Sequence, residues 1–546
     1  MKHRLYIYIL ISFSKLIFSD FQCQENHLLI TSISENERNI LNKISYNKKH
    51  NDSITLKNEI SKIQRQIKKQ GYFLSSFDSI SKSNNIYTAF FSLNQKIKEA
   101  RLNKNSNKSK KTSKTDTLNI SINNLEKTLK EYLEKLEITG RSFSKVKLNN
   151  IIVKKNILYA DLNLIESEKR TVNEIIVKGY DQFPKKYLKN YFKIEKNSVF
   201  NKSKLKQISN YSKNLDFIKE SKAPEVLFTN DSTFIYLYFE KKSNSSVDAF
   251  INFTSNESGD LQLIGNIDLK LQNALNNGET FRLFWNSIGN ERQEFRISSS
   301  IPYIFNSKIS PDIAFSIYRQ DSSFTNTKFE SNFNYNLNSK LKLGLSFNSE
   351  SSENLQENNS NVSSYKNIFF GLNLNYSLLN QDIFKNYKFL LHVNPEFGNR
   401  KTDYSRSNQF KINSTISYLW EFNQRNYLYT RNQTGFLNSD DYLNNELYRI
   451  GGANSVRGFN EQSIFTKSFS YFNIEYRFLT SSKSYLYSIT DFGFTKTTDN
   501  ILGLGLGYLF VNNKSKINLN ISVGKTGEES FNINNLKLGI SWLNYF

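Results

Sequence analysis

From Lys242 to the C-terminus, apolar residues fall on every second position. Leu261, Leu263, Ile267, Leu269 and Leu271 alternate with Gln262, Asn266, Asp268 and Lys270. Further on, Phe410, Ile412, Ile416, Tyr418 and Trp420 stand against Lys411, Asn413, Thr415 and Glu421. Near the end, Ile517, Leu519, Ile521 and Val523 alternate with Asn518, Asn520 and Ser522. A period of two gives each strand one apolar and one polar face. From Val247 onward about sixteen such runs follow one another, the pattern of a transmembrane β-barrel with lipid outside and water inside. Short hydrophilic turns (Asn276 to Gly278, Asn338-Ser339, Phe422 to Arg425, Thr480 to Ser484, Asn512 to Lys514) follow the even-numbered runs, and longer connections such as Ser349 to Tyr365 intervene elsewhere. The barrel is therefore assigned to residues 244–546, with the short turns at one rim and the long loops at the other.

Before residue 244 the period is different and repeats. An amphipathic helix carries Leu56, Ile60, Ile63 and Ile67, stops near Gly71, and leads to a strand at Asn85 to Phe91. A second carries Ile122, Leu125, Leu129, Leu133 and Leu136, stops at Gly140, and leads to a strand at Asn156 to Leu164. The third runs through Leu205, Ile208 and Leu215 to a strand at Thr233 to Glu240, and opens on the alternating run Val172 to Gly179. Tyr87, Tyr159 and Tyr236 occupy matching places, about 72 and 77 residues apart, a spacing suited to small tandem α+β domains. The third copy resembles the periplasmic polypeptide-transport-associated (POTRA) domain, a β-α-α-β-β unit. On that resemblance the chain is read as mostly β, with POTRA-like domains over 24–95, 96–165 and 166–243 ahead of a 16-stranded barrel.

Composition agrees with this reading. Only 38% of the 546 residues are hydrophobic, yet 31 Tyr and 44 Phe bring the aromatics to 14%. A mean hydropathy of -0.55 excludes a helical membrane protein. Residues 1–23, with Lys2 and Arg4 before the apolar stretch Leu5 to Phe18, read as a secretory signal peptide. Cys23 is the only cysteine, which excludes an internal disulfide and a multi-cysteine metal site. The net charge of +23 is spread over every segment, and the densest cluster, Asn103 to Lys114, has no interleaved aromatics, so a nucleic-acid partner is not expected. With four histidines scattered, no nucleophile elbow, no phosphate loop and no paired metal ligands, neither catalysis nor a cofactor is expected.

One stretch stands apart from the alternation: Ile450 to Phe459, I-G-G-A-N-S-V-R-G-F, between the eleventh and twelfth runs. Gly451, Gly452 and Gly458 permit close backbone approach, and an enclosed Arg457 requires carboxylate partners. In Phe472 to Phe478 the lipid face takes Phe472, Ile474, Tyr476 and Phe478, leaving Glu475 and Arg477 in the lumen. Asp491 is a second candidate, although Ile489 shares its face. The motif within this alternating chain, which ends on Phe546, resembles the BamA/TamA-type superfamily of outer-membrane assembly and translocation barrels. The resemblance implies that the loop, with Ser455, Val456 and Phe459, folds into the lumen and that Arg457 meets Glu475 and Asp491. It also implies that Leu538, Ile540, Trp542 and Phe546 form a C-terminal barrel signal, from which Asn544 departs as a polar residue. The expected setting is the bacterial outer membrane, with the N-terminal domains in the periplasm. The expected function is assembly or insertion of unfolded outer-membrane or secreted client proteins at a lateral barrel seam, in contact with the lipid bilayer and with room for a periplasmic or lipoprotein accessory subunit. The alternative is a two-partner-secretion transporter exporting one exoprotein through the lumen.

Overall fold

The computed structural model describes residues 26–104, 117–255, 261–289, 292–356, 362–380, 384, 387–497, 500–512 and 514–546. The signal segment, Cys23 and the lysine-rich stretch from residue 105 lie outside the described residues. The chain divides into two units, Met1–Arg170 with Val199–Asn201, and Thr171–Ser198 with Lys202–Phe546.

The first unit holds two four-stranded sheets. One is built from β1 (Asn26–Thr31), α1 (Glu35–Leu41), β2 (Lys49–His50), α2 (Ser53–Lys69), β3 (Ser76–Ser83) and β4 (Ile86–Ser92), in the order β2-β1-β4-β3. The Asp52 carboxylate caps α2, accepting from the Thr55 N–H at 2.7 Å. The helix buries Leu56, Ile60, Ile63 and Ile67 against Leu28, Ala89 and Phe91, so the three-and-four spacing marks its core face. The other sheet contains β5 (Glu99–Lys104), β6 (Thr117–Ser121), α3 (Leu125–Ile138), β7 (Lys145–Lys154) and β8 (Ile157–Ile165), ordered β6-β5-β8-β7. Among the described residues the expected β-α-α-β-β order is not followed here. Thr117-Leu118-Asn119-Ile120 alternates with strand period and pairs antiparallel with β5, in the place of a first helix.

The second unit opens with β9 (Glu174–Lys178), α4 (Lys186–Asn190), α5 (Lys202–Ser212), β10 (Ile218–Phe228) and β11 (Thr233–Lys241), which follow the expected order. Its core is aromatic: Phe183 packs on Phe192, Phe217 and Phe239. Eleven barrel strands come next: β12 (Ser246–Ser255), β13 (Leu261–Gln272), β14 (Thr280–Gly289), β15 (Arg292–Ser300), β16 (Ile309–Gln320), β17 (Phe324–Asn336), β18 (Leu341–Asn354), β19 (Tyr365–Leu379), β20 (Tyr387–Lys401), β21 (Arg406–Glu421) and β22 (Asn426–Asn438). A small hairpin, β23 (Tyr448–Ile450) and β24 (Ile464–Thr466), interrupts the wall before β25 (Ser468–Ser481), β26 (Ser484–Thr495), β27 (Ile501–Val511), β28 (Ser515–Thr526) and β29 (Lys537–Tyr545) complete it. All sixteen wall strands close into one barrel. Residues such as Leu345, Phe370, Leu372 and Phe397 face outward and are exposed, the lipid-facing set that the alternation requires. Leu538, Ile540, Trp542 and Phe546 are likewise exposed on the last strand and its end.

The interior keeps a cavity of about 640 Å³ lined by Arg296, Lys328, Glu330 and Lys411, but one sector of it is closed. Tyr485, Tyr487, Ile489, Leu509 and Val511 are buried together with Phe384, so this wall is packed rather than wet. That explains why Ile489 shares a face with Asp491.

The third small domain is fastened to the barrel turn after β13. The Tyr180 hydroxyl donates to Asn276 Oδ1 at 2.7 Å and accepts from Asn273 Nδ2 at 2.8 Å. Lys241 Nζ donates to Asn276 Oδ1 at 2.7 Å. Gly278, with φ +73°, fits under the Tyr187 ring, whose hydroxyl would lie 2.2 Å from any Cβ added there. Gly278→Val therefore both strains the backbone and displaces a buried tyrosine. The variant should keep heat-modifiable migration on unboiled gels, reporting an intact barrel, while limited proteolysis at residues 242–246 becomes faster than in the parent. Unchanged proteolysis would show that the turn does not hold the domain.

Candidate functional site

Asn438 and Ser468 end the eleventh and start the twelfth wall strands, and the chain between them turns inward. Its stem is the β23–β24 ladder, pairing Tyr448 with Thr466 and Ile450 with Ile464. Above the stem the tip folds on itself. The Gly451 N–H donates to Ser455 Oγ at 2.7 Å, and the Gly452 N–H to the Val456 carbonyl at 3.1 Å. Asn473 Nδ2 on β25 donates to the Ser455 carbonyl at 2.7 Å. Val456 is wholly buried among Ile450, Phe469, Tyr471 and Ile501. Burying Val456 seats the next residue, Arg457, against the wall.

Arg457 makes four hydrogen bonds to two carboxylates. Its Nε and Nη2 form a fork on Asp491, 2.7 Å to Oδ2 and 2.7 Å to Oδ1, and its backbone N–H donates to the same Oδ2 at 2.9 Å. Its Nη1 donates to Glu475 Oε1 at 2.5 Å. The other Glu475 oxygen takes Arg477, 2.9 Å from Nε and 2.6 Å from Nη2. Arg477 also stacks over Tyr429, 4.2 Å from the ring centre. Two guanidinium groups and two carboxylates thus form one neutral cluster, with Asp491 0% exposed and Arg457 9% exposed. Burial alone would lower the pKa of Arg457, but the Asp491 and Glu475 carboxylates outweigh it and hold the group above its ordinary value. The arginine stays charged, as an ion pair in this setting needs.

Close backbone approach depends on glycine. Gly458 has φ +91°, and a Cβ on it would lie 2.4 Å from the Val523 carbonyl carbon. A Cβ on Gly503, in β27, would lie 2.1 Å from the Arg457 carbonyl oxygen. Phe459 is half-buried, with its ring over Gly524.

A second anchor lies earlier in the same loop. Arg400 on β20, 0% exposed, reaches Glu446 with Nη1 at 2.6 Å and also pairs with Asp441. Gln409 Nε2 donates to the other Glu446 oxygen at 3.1 Å. Asn445 Nδ2 donates to Ser352 Oγ at 2.7 Å, and Asn326 Nδ2 to the Asn445 carbonyl at 2.7 Å. On the far wall the Arg449 guanidinium lies 3.6 Å over the Tyr318 ring, and Gln462 Nε2 donates to Glu294 Oε2 at 2.8 Å. The loop therefore crosses the lumen from β25 and β26 to β15, β16 and β17.

The structure brings Arg457, Glu475 and Asp491 together. Arg477, Arg400, Glu446, Asn445 and Gly503 were not among the expected site residues. Arg400 was detectable by alternation, because it shares the inward face of Glu396 while Phe397 points out, 67% exposed. Glu446 sits in the aperiodic run D-Y-L-N-N-E-L and carries no such signal.

A closed 16-stranded barrel behind small α+β domains, with an inward loop pinned by arginine, defines the architecture of a transmembrane β-barrel. The fold agrees with the resemblance that the motifs suggest. Residues 314–509 match the family model described as haemolysin secretion/activation protein ShlB/FhaC/HecB. No curated protein has a matching sequence. Among solved structures the chain is similar to CdiB from Acinetobacter baumannii, at 13% identity over 90% of this chain and 98% of that one, with a TM-score of 0.52. It is similar also to CdiB from Escherichia coli, at 15% identity over 88% and 95%, with a TM-score of 0.50. BamA from Haemophilus ducreyi lacking POTRA domains 1-3 matches at 12% identity over 77% and 93%, with a TM-score of 0.48.

Arg457→Ala leaves Asp491 buried without its fork, a loss on the order of 3–5 kcal/mol for a buried pair. It should lower the temperature at which the unboiled barrel band is lost, while the barrel still forms. Arg457→Lys should recover only part of this, because an ammonium cannot match the fork. Exchanging Arg457 and Glu475 should not restore the site, since the new glutamate would face Asp491. Gly503→Val provides an independent check, as it evicts the loop without touching a charge. A Ser455→Cys/Asn473→Cys crosslink, formed in the parent, should be lost in Gly503→Val; a crosslink of equal yield would mean that the loop does not rest on this glycine.

Proposed function

We propose that the protein is an outer-membrane insertase that templates client strands at the seam between β12 and β29. The observation that carries this reading is the length of the seam ladder. β12 and β29 share two residue pairs, Ser246 with Tyr545 and Val247 with Asn544, plus the Phe546 N–H to the Ser245 carbonyl at 2.9 Å. By contrast, β12 and β13 are paired all the way from Ser246–Lys270 to Ser255–Leu261, and β28 and β29 from Ser515–Asn544 to Ser522–Lys537. At roughly 0.5–1.5 kcal/mol net per hydrogen bond, parting the seam costs only a few kcal/mol. A client strand that takes over the freed groups offsets that cost, and it has no other way to enter lipid with its backbone paired. Moving the loop out of the lumen would break two buried ion clusters, a larger cost. Lateral exchange is therefore the cheaper route, and it needs no covalent chemistry.

In this reading the small domains lie in the periplasm and receive unfolded outer-membrane or secreted clients. The sheet edge β3 is exposed along its whole length and could accept an added strand. A periplasmic or lipoprotein accessory subunit would have the same edges available.

The second reading is a two-partner-secretion transporter, favoured by the family match over residues 314–509 and by the likeness to CdiB. In that case the loop must leave the lumen for each passage. Two crosslinks separate the readings. In a Cys23→Ser background, Val247→Cys/Asn544→Cys locks the seam and Ser455→Cys/Asn473→Cys locks the loop. An insertase with its seam locked should fold a client barrel into vesicles no faster than empty vesicles do. If instead the loop lock stops export of an exoprotein and the seam lock changes nothing, the transporter reading stands.

A further inference from the structure

The connection between β15 and β16 contains three departures from ordinary backbone within four residues. Tyr303, Phe305 and Asn306 have φ of 56°, 51° and 55°, the left-handed region that bulky side chains avoid. The strain is held from both sides. The Tyr303 N–H donates to Ser310 Oγ at 3.1 Å, and its ring meets Tyr187 edge-on at 5.1 Å. Asn190 Nδ2, from α4, donates to the Asn306 carbonyl at 3.2 Å. What the turn presents is Phe305, 96% exposed. A lone exposed aromatic means little by itself. A strained backbone that holds one at the rim of a membrane barrel calls for a partner.

Beside it runs a groove of about 910 Å³ between this turn and α4. Its barrel side is apolar, with Ile301, Ile304 and Phe305. Ile301 continues the outward register of Phe295 and Ile297, since Ser299 pairs with Ile313 and the Ile301 N–H donates to the Pro311 carbonyl. The groove therefore opens onto the lipid-facing wall. Its domain side carries Lys185, Lys186, Lys189 and Lys196 against Glu174 and Glu195. Lys189 pairs with Glu195 at 3.3 Å, and the other three lysines form no ion pair among the described residues. Burial draws Lys186 below its usual pKa, only partly offset by Glu279, so this cation lacks a close counter-charge.

We propose that the groove binds an anionic phospholipid of the leaflet nearest the small domains, its phosphate among the lysines and its acyl chains against Ile301, Ile304 and Phe305. An apolar wall continuous with the lipid belt, facing a cationic wall across the groove, is the chemistry of such a molecule. The bound lipid would join the third domain to the membrane beside the turns that already hold it to the barrel. The inference rests on the barrel's membrane setting and not on whether it works as an insertase or a transporter.

The test uses the full chain in zwitterionic detergent, titrated with short-chain phosphatidylglycerol, with phosphatidylcholine of the same chains, and with inorganic phosphate. Bound lipid is counted by native mass spectrometry. Phosphatidylglycerol should be retained in preference to phosphatidylcholine, free phosphate should not displace it, and Lys186→Glu/Lys189→Glu should weaken it roughly tenfold or more. Phe305→Ser, at a position too exposed to disturb the core, should weaken retention without changing heat-modifiable migration. Equal retention of the two lipids, displacement by phosphate, or parent-like binding by both variants would each overturn the proposal.

Discussion

Within hydrocarbon, a backbone N–H or C=O without a partner costs several kcal/mol, and this constraint shapes the membrane-spanning half of the chain. It requires the sheet to close, and closure in turn requires an even alternation of lipid-facing and interior residues through all sixteen strands. The same constraint makes the β12–β29 seam conspicuous. Elsewhere the ladders run most of the strand length, but here pairing ends beyond Val247 and Asn544. Asn544 shares its exposed outward face with Trp542 and Phe546, so a polar residue occupies the lipid-facing side where the ladder stops. The weakest place in the wall is thus weak in both hydrogen bonding and lipid contact.

Closing a wall creates an interior, and this one is crossed by its own loop, which leaves a cavity of about 640 Å³ beside it. An inserted loop brings polar backbone and charge into a packed space, and each must be answered. The answer at the tip is electroneutral: Arg457 and Arg477 against Glu475 and Asp491. At the stem it is Arg400 against Glu446 and Asp441. Because Arg457 also donates its backbone N–H to Asp491, the carboxylate fixes main chain and side chain together. Gly503 and Gly458 supply the close approach that makes this geometry available.

What was legible in the sequence follows from these demands. The strand period is imposed at every position by lipid on one side, so it could be counted from residues alone. The tip motif and its two carboxylates were legible through the family resemblance: alternation alone placed Glu475 inward, but left Asp491 ambiguous beside Ile489. Arg400 and Glu446 were harder, since one half of the pair lies in a loop without period. The second small domain shows a different failure. The sequence between Lys104 and Ser121 has no apolar stripe, and Leu118 with Ile120 makes a strand where the domain pattern supplies a helix. Seam length could not be read at all, because it depends on how two strands nearly 300 residues apart meet, which neither encodes locally.

The two edges of the seam are held by different elements. On one side β12 follows directly from the third small domain, which is also fastened to the turn after β13 through Tyr180 and Tyr187 and to the turn after β15 through Asn190. On the other side β29 is paired to β28, whose inner face meets the loop where Phe459 lies over Gly524. The loop reaches back to β15 through Gln462 and Glu294, so the two supports meet on one strand. A displacement of the small domain is resisted by the turns it grips, and a displacement of the loop by its two ion clusters. Between these braces the shortest wall ladder among the described residues is the seam itself. On the proposed reading, a load that moves one support relative to the other would part the strands at the seam, where the ladder is shortest.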